Sequence, residues 1–321
     1  MEKYLVTGGA GFIGSNIVEE LLRRGESVRV LDNFSSGKQE NLSFAYNLQS
    51  TIYNLQRGDI RSKSDLRKAL KGVDYVLHQA AIRSVPKSVD NPFLTNDVNV
   101  NGTLNLLLEA KKAKVKRLVY ASSSSVYGDV KNFPQKEDFT PKPISPYGVS
   151  KLAAENYCIA FSATFGLETV SLRYFNVFGP RQNPESKYSA CIPAFLSRML
   201  NNKPPIIEWD GKQSRDFTYV SNVVDANLKA TVKKGISGKV FNVACGETIQ
   251  VLEIANMLNK ILDKHLKPEY APKRAGDVRK TYADITKIKN LLNFKPKVNF
   301  KQGLEKTVEW FIRLRRKRIR K

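Results

Sequence analysis

Along the first 175 residues, short apolar runs alternate with stretches whose apolar positions recur at helical spacing. Lys3–Thr7 (KYLVT) reads as a buried strand, and a glycine-rich turn and a helix reaching Arg24 follow it. Ser27–Leu31 (SVRVL) reads as a second strand and Thr51–Gln56 as a third. Asp74–His78 (DYVLH), Arg117–Ala121 (RLVYA) and Glu168–Leu172 (ETVSL) read as later strands, with helical patterns between them over Lys63–Leu70, Val98–Lys114 and Tyr147–Phe165. Strands alternating with helices predict a parallel sheet covered on both faces, because each right-handed crossover lays its helix on the sheet. The expected class is therefore α/β, a doubly wound parallel sheet of the Rossmann dinucleotide-binding kind.

After Arg173 the texture changes, and loops rich in Pro, Asn and Gly run to Arg215. Asp216–Tyr219 and Lys239–Val243 (KVFNV) are expected to return to the sheet as strands. From about Thr248, helices mix with loops carrying Pro268, Pro272 and Pro296. These shifts predict a dinucleotide-binding domain over 1–173 and 216–247. A smaller, discontinuous C-terminal domain for the substrate is expected over 174–215 and 248–321.

At 321 residues, 41% apolar and 10% aromatic, the chain can bury a large core and is too apolar for disorder. No apolar run approaches the roughly 18 residues of a membrane span, and the start MEKYLVTGG lacks a signal-peptide layout. Cys158, Cys191 and Cys245 are far apart and form no CxxC pair, which predicts a reducing cytoplasm and argues against disulfides or zinc. With only His78 and His265 as histidines, no metal site is expected. The net charge of +23 is spread mostly over scattered lysines, which read as a solvated surface. Nucleic acid is not an expected partner. The closing run Arg313–Lys321 (RLRRKRIRK) offers a weak contact to anionic membrane.

Candidate chemistry starts in the first turn. Thr7-Gly8-Gly9-Ala10-Gly11-Phe12-Ile13-Gly14 contains GxGxxG between a strand and a helix. Glycines there permit a tight turn and let a pyrophosphate sit on the helix N-terminus. The expected cradle comprises Gly8, Gly11, Phe12, Ile13 and Gly14. Asp32 closes the second strand, with Asn33 beside it; a carboxylate there accepts both ribose hydroxyls and repels a 2′-phosphate, which selects NAD over NADP. Asp59 and Ile60 are expected at the adenine, and Gln79, Ala80 and Ala81 beside the pyrophosphate.

Tyr147-Gly148-Val149-Ser150-Lys151 opens a helix, and i, i+4 spacing puts Tyr147 and Lys151 on one face. A phenol with a pKa near 10 is a poor base at neutral pH, and lowering it by roughly 3 units takes about 4 kcal/mol from a nearby ammonium and a cationic nicotinamide. Ala121-Ser122-Ser123-Ser124-Ser125-Val126-Tyr127-Gly128 follows the fifth strand, at the carboxyl edge where such sheets bind ligands. A hydroxyl there can hydrogen-bond a reacting alcohol and share its proton with the tyrosine.

Glycine loop, Asp32, HQAA, serine run and YxxxK together resemble the extended short-chain dehydrogenase/reductases. Arg173-Tyr174-Phe175-Asn176-Val177-Phe178-Gly179-Pro180-Arg181-Gln182 and Ser214-Arg215-Asp216-Phe217 narrow the likeness to nucleotide-sugar enzymes, and over its full length the chain is most similar to UDP-hexose 4-epimerases. The resemblance implies a tightly held, recycled NAD. Tyr147 would take the C4 hydroxyl proton, with Ser123 or Ser125 on that oxygen, and Lys151 would bind the nicotinamide ribose and tune Tyr147. Hydride would leave C4, the 4-keto sugar would turn over, and hydride would return to its other face. Asn176 would touch the sugar or diphosphate and Phe175 the nicotinamide side. Arg215 and Arg274 would clamp the diphosphate, Asp277 would hold the uridine ribose, and backbone around Ala190 and Cys191 would frame the nucleotide. Helices Val98–Lys114 and Tyr147–Phe165 would pair across a homodimer.

Departures from relatives bear on the substrate. Ser124 and Ser125 stand where sugar dehydratases carry an acid pair and decarboxylases a glutamate, so neither elimination nor decarboxylation is favoured. Thr281 stands where strict glucose/galactose epimerases carry a bulky tyrosine, which leaves room for an N-acetyl group. Arg83-Ser84-Val85-Pro86-Lys87-Ser88 resembles the loop of N-acetylhexosamine-preferring enzymes, with Ser84 expected at the substrate; Arg83 departs from it and can favour a carboxylate. The expected reaction is UDP-GlcNAc/UDP-GalNAc interconversion, with room for UDP-Glc/UDP-Gal interconversion alongside it. UDP-glucuronate 4-epimerase is the alternative, and a non-enzymatic NAD-binding basic module the rival from another class. His78 is expected to be a packed residue near the cofactor and not a catalyst.

Overall fold

The computed structural model describes residues 1–46, 52–183, 191–273 and 277–319. Seven strands form one parallel sheet: β1 (Lys3–Thr7), β2 (Ser27–Asp32), β3 (Tyr53–Arg57), β4 (Tyr75–His78), β5 (Arg117–Ser123), β6 (Glu168–Tyr174) and β7 (Val240–Val243). Their spatial order is β7-β6-β5-β4-β1-β2-β3. The direction of winding reverses between β1 and β4, whose ends Thr7 and His78 are paired. A crevice opens at such a reversal, outside the carboxyl ends of the strands. The doubly wound expectation is met. All seven residues of β5 are buried, as a strand covered on both faces requires.

The helices that frame this edge are α1 (Phe12–Arg23), α2 (Lys63–Leu70), α3 (Gly102–Lys112) and α4 (Pro146–Phe165). In α1, Ile17, Val18, Leu21 and Leu22 form the buried stripe. In α4, the Ser145 hydroxyl accepts the Gly148 N–H at 3.1 Å, Pro146 occupies the first turn, and Gly166 ends the helix at φ 67°. Those three residues are the start and stop signals that fix where α4 begins and ends.

The helical pattern expected to begin at Val98 begins earlier. Pro92–Asn96 is helical and Asp97–Asn101 forms a widened turn before α3. Its buried Asn99 side chain brackets the Ile82 backbone, accepting its N–H at 2.8 Å and donating to its carbonyl at 3.0 Å. The same amide donates to Ser150 of α4 at 2.9 Å.

Beyond β6 lie α5 (Cys191–Leu200), α6 (Val220–Val232), α7 (Val251–Leu262), α8 (Thr286–Leu292) and α9 (Phe300–Ile319). β7 joins β6 as expected. Asp216–Tyr219 does not: only Thr218–Tyr219 is extended, and it pairs with Val177–Phe178 outside the main sheet. The reason is aromatic. Phe178, Phe217, Tyr219 and Phe300 stack with centroids 5.3 to 6.1 Å apart, drawing this segment toward α9 and away from the sheet. Among the described residues no helix is long and apolar enough to cross a membrane.

Candidate active site

The turn after β1 is built from backbone at van der Waals limits. A Cβ on Gly8 (φ +66°) would lie 2.7 Å from the Ala80 nitrogen, and one on Gly14 would lie 2.2 Å from the Gly8 carbonyl oxygen. Both positions therefore exclude any side chain. Gly11 is the N-cap of α1 and offers no side chain to its first turn, so the N–H groups of Phe12, Ile13 and Gly14 face the crevice end of the helix as an anion cradle. Asp32 is buried; Oδ2 accepts the Ala10 N–H at 2.9 Å and Oδ1 the Phe34 N–H at 2.8 Å. A carboxylate has about four lone-pair sites, which leaves two for a ribose diol. Burial pushes its pKa up, and the two N–H bonds pull it back. These residues fit NAD.

Asn33 donates to Asp59 at 2.9 Å. Arg61 also grips Asp59, at 2.9 and 3.0 Å, and holds its carboxyl down at about 2. Ile60 is buried against Gly102. Past β4, the Ala80 N–H donates to the Thr7 hydroxyl at 3.3 Å, so the second crevice wall is tied to β1. Gln79 bonds Tyr174 and Asn227 at 3.1 and 3.3 Å; Ala81 follows at the mouth.

His78 bridges Thr7 (2.6 Å) and Thr103 (2.9 Å), and the Thr103 hydroxyl donates to the Asn99 carbonyl at 2.6 Å. That direction makes Nε2 the protonated nitrogen. Burial, then the nearby Lys151 charge, drives the imidazole down to about 3. It is a neutral packed bridge, as the sequence suggests.

Tyr147 and Lys151 share one face of α4, turned to the end of β5. The Tyr147 phenol lies beside Ser123; burial raises its pKa, while Ser123 and the Arg83 charge lower it. Ser123 also bonds Ser125, hydroxyl to hydroxyl at 3.1 Å, and its oxygen accepts the Ser125 N–H at 3.1 Å. Ser124 is half-buried in the same turn. Lys151 is 4% exposed and donates to the Ala121 carbonyl at 2.8 Å, and loss of hydration brings its ammonium down to about 7. The loop after β4 docks on this corner through the Ser88 hydroxyl, which accepts the Tyr147 N–H at 3.0 Å. Ser84 caps the short helix Val85–Asp90 in that loop.

Just past the end of β6, Asn176 (φ +31°) donates its amide to the Thr281 hydroxyl at 2.9 Å and to the Asp216 carbonyl at 3.2 Å. Arg215 is ion-paired with Asp277, so the two residues expected at the diphosphate and uridine ribose hold one another. Cys191 begins α5, half-buried. Phe175 is fully buried and packs against Tyr127. Ala190 and Arg274 lie outside the described residues.

Several residues at this edge are not among the expected site residues. Asn99 clamps the loop before Arg83. The Asp216 carboxylate accepts the N–H groups of Cys245, Gly246 and Ala283 at 2.9, 3.0 and 3.3 Å. Glu155 lies one turn beyond Lys151, and that spacing was its only available signal.

Residues 4–244 match the family described as NAD dependent epimerase/dehydratase. Three solved structures superpose closely. A UDP-N-acetylglucosamine 4-epimerase from Methanobrevibacter ruminantium, in complex with UDP-N-acetylmuramic acid, is 39% identical with a TM-score of 0.92, covering 98% of this chain and 99% of its own. A UDP-glucose 4-epimerase from Thermotoga maritima with UDP-glucose is 39% identical at 0.91, covering 97% and 99%. One from Thermus thermophilus in complex with NAD is 36% identical at 0.88, also covering 97% and 99%. Among curated relatives, the UDP-glucose 4-epimerase of Mycolicibacterium smegmatis is 36% identical over 96% of this chain and 97% of its own. The UDP-glucuronate 4-epimerase of Thermodesulfobacterium geofontis is 34% identical over 97% and 96%. With the cradle, the buried Asp32 and the tyrosine–lysine face all on one sheet edge, the chain belongs to the NAD dependent epimerase/dehydratase family, as an enzyme with NAD for its cofactor.

Proposed function

We propose that the protein is a UDP-sugar 4-epimerase that interconverts UDP-N-acetylglucosamine and UDP-N-acetylgalactosamine, and UDP-glucose and UDP-galactose beside them. The observation that carries the reaction type is the placing of Tyr147 beside Ser123, with Lys151 one turn away and held on the Ala121 carbonyl at the end of β5. Bound NAD supplies a hydride acceptor that returns what it takes. Gly8, Gly11, Gly14 and Asp32 hold it, and the buried Lys151 is placed to bind its nicotinamide ribose. Tyr147 accepts the proton of the C4 hydroxyl while Ser123 hydrogen-bonds the same oxygen. When the ring presents its other face, the proton returns from Tyr147, so no acid or base is consumed over a cycle. Asn176 and Thr281 face the sugar, with Arg215 and Asp277 parting to take the diphosphate and ribose.

The N-acetyl preference rests on Thr281, a small residue bonded to Asn176, and on likeness to the N-acetylglucosamine enzyme of M. ruminantium. UDP-glucuronate is the second reading. Arg83, an exposed cation on the loop behind Tyr147, acts electrostatically on that phenol and suits a carboxylate. The purified protein should convert UDP-GlcNAc to UDP-GalNAc without added NAD, read by chromatography of the nucleotide sugars. Turnover of UDP-glucose alone would overturn the N-acetyl assignment, and turnover of UDP-glucuronate alone would establish the second reading.

A further inference from the structure

One stripe of α4 is stitched to three successive residues of β5. Tyr147 meets the Ser123 hydroxyl, Lys151 the Ala121 carbonyl at 2.8 Å, and Glu155 the Ser122 hydroxyl, which donates to Oε2 at 2.6 Å. The spacing i, i+4, i+8 makes this possible, since each step is close to one helical turn. Tyr147 and Lys151 belong to the reacting centre; Glu155 does not reach it. Glu155 is 1% exposed, and both its oxygens are engaged by Arg173, through Nη2 at 2.6 Å and Nε at 3.1 Å. Arg173 stands on β6 directly opposite Ser122 in the strand register, and its guanidinium lies 4.7 Å from the Tyr127 ring centroid.

Stability alone does not account for this pair. Removing two charges from water costs about what their attraction returns, and apolar residues of similar volume usually serve a core as well or better. A buried pair of this kind does supply direction, because a carboxylate pinned by a forked guanidinium has its remaining lone pairs held in fixed directions. Here one of those directions ends on Ser122, the neighbour of Ser123.

We propose that Glu155 and Arg173 are positioning residues for the reaction. Through Ser122 they fix the last two residues of β5, so that the Ser123 hydroxyl stays on the Tyr147 phenol. The inference rests on the reading of Tyr147 and Ser123 as reacting groups. Arg83 and Tyr120 interact with the same phenol from the β4 loop and from β5, and Tyr120 also feels the Glu155 charge.

Ser122→Ala tests it by removing one hydroxyl while leaving the Glu155–Arg173 pair intact. Wild-type turnover first establishes the epimerase reading independently. The variant should keep its melting temperature within a few degrees and its content of bound NAD. Its kcat per bound NAD should fall about tenfold, with KM for the UDP-sugar within a factor of two. Ultraviolet difference titration against the corresponding Tyr147→Phe proteins reads the phenol without turnover, and its midpoint should move up by about half a unit as Ser123 loosens. A variant with wild-type kcat and an unmoved phenol overturns the inference. So does one whose kcat loss merely follows lost NAD or lost fold with the phenol midpoint unchanged. Glu155→Gln supplies the second arm: if Glu155 acts through Ser122, adding Ser122→Ala to it costs no further kcat, and an additive loss overturns the inference.

Discussion

An ammonium group buried as Lys151 is gives up its hydration shell for one carbonyl, that of Ala121 at 2.8 Å. Burial holds its pKa at about 7 in the fold, against 10.5 for the free side chain. Between those values the unfolded chain binds a proton that the folded chain lacks, so stability from this residue is present above the upper value and is lost as pH falls toward the lower one. Lys151→Met should therefore abolish turnover yet make the NAD-free protein more stable at pH 7, by on the order of a few kcal/mol. Melting curves at pH 7 and pH 10 check this: the variant's advantage should shrink at the higher pH. At Thr281 the expected trade is in specificity. Thr281→Tyr adds bulk and removes the hydroxyl that accepts from Asn176 at 2.9 Å. It should lower kcat/KM for UDP-GlcNAc by roughly tenfold or more relative to UDP-glucose, as measured by parallel progress curves on both sugars.

At the scale of elements, the turn from β1 into α1 is set by atoms with nowhere to move. Gly14→Ala brings a methyl to within 2.2 Å of the Gly8 carbonyl oxygen, and relieving that contact displaces the first turn of α1 from the crevice. Overpacking of this kind costs about 1–3 kcal/mol, which a sheet of seven strands can absorb. Circular dichroism should stay near wild type, while NAD released on denaturation should drop to a minor fraction. This element was readable in the sequence because its chemistry is local: glycine loop, Asp32, serine run and YxxxK each occupy a few consecutive residues at fixed spacing. The Glu155–Arg173–Ser122 group was not readable as a unit. Its members come from α4, β6 and β5, and meet only because strand register sets Ser122 against Arg173. Asp216–Tyr219 was read as part of the sheet because an extended segment does not say which neighbour it pairs with. A cluster of four aromatic rings decided that.

For the whole molecule, the exposed apolar side chains are unevenly spread. Phe93 is 87% exposed, with Val89, Leu94, Val149, Tyr157 and Ile159 also open to solvent. They lie on α4 and on the two short helices packed against it, where a helix-pairing interface between two copies is expected. Exposed apolar side chains gathered on neighbouring helices mark an association site. Light scattering on the eluted protein should give a dimer, and Phe93→Asp with Val149→Asp should give a monomer that keeps its helical content.

The stitched stripe of α4 also bears on how the chain between β5 and α4 can vary. Three contacts one turn apart behave like a key in a slot: a slide of one residue breaks all three together, so partial misalignment has no stable form. The catalytic register is then written in the side chains of α4 and not in the length of the connection leading to it. Two glycines inserted between the exposed Lys131 and Asn132 should leave turnover within about twofold of wild type, since lengthening a loop costs only fractions of a kcal/mol. Insertions are thus a way for this connection to acquire new surface while the chemistry stays in step.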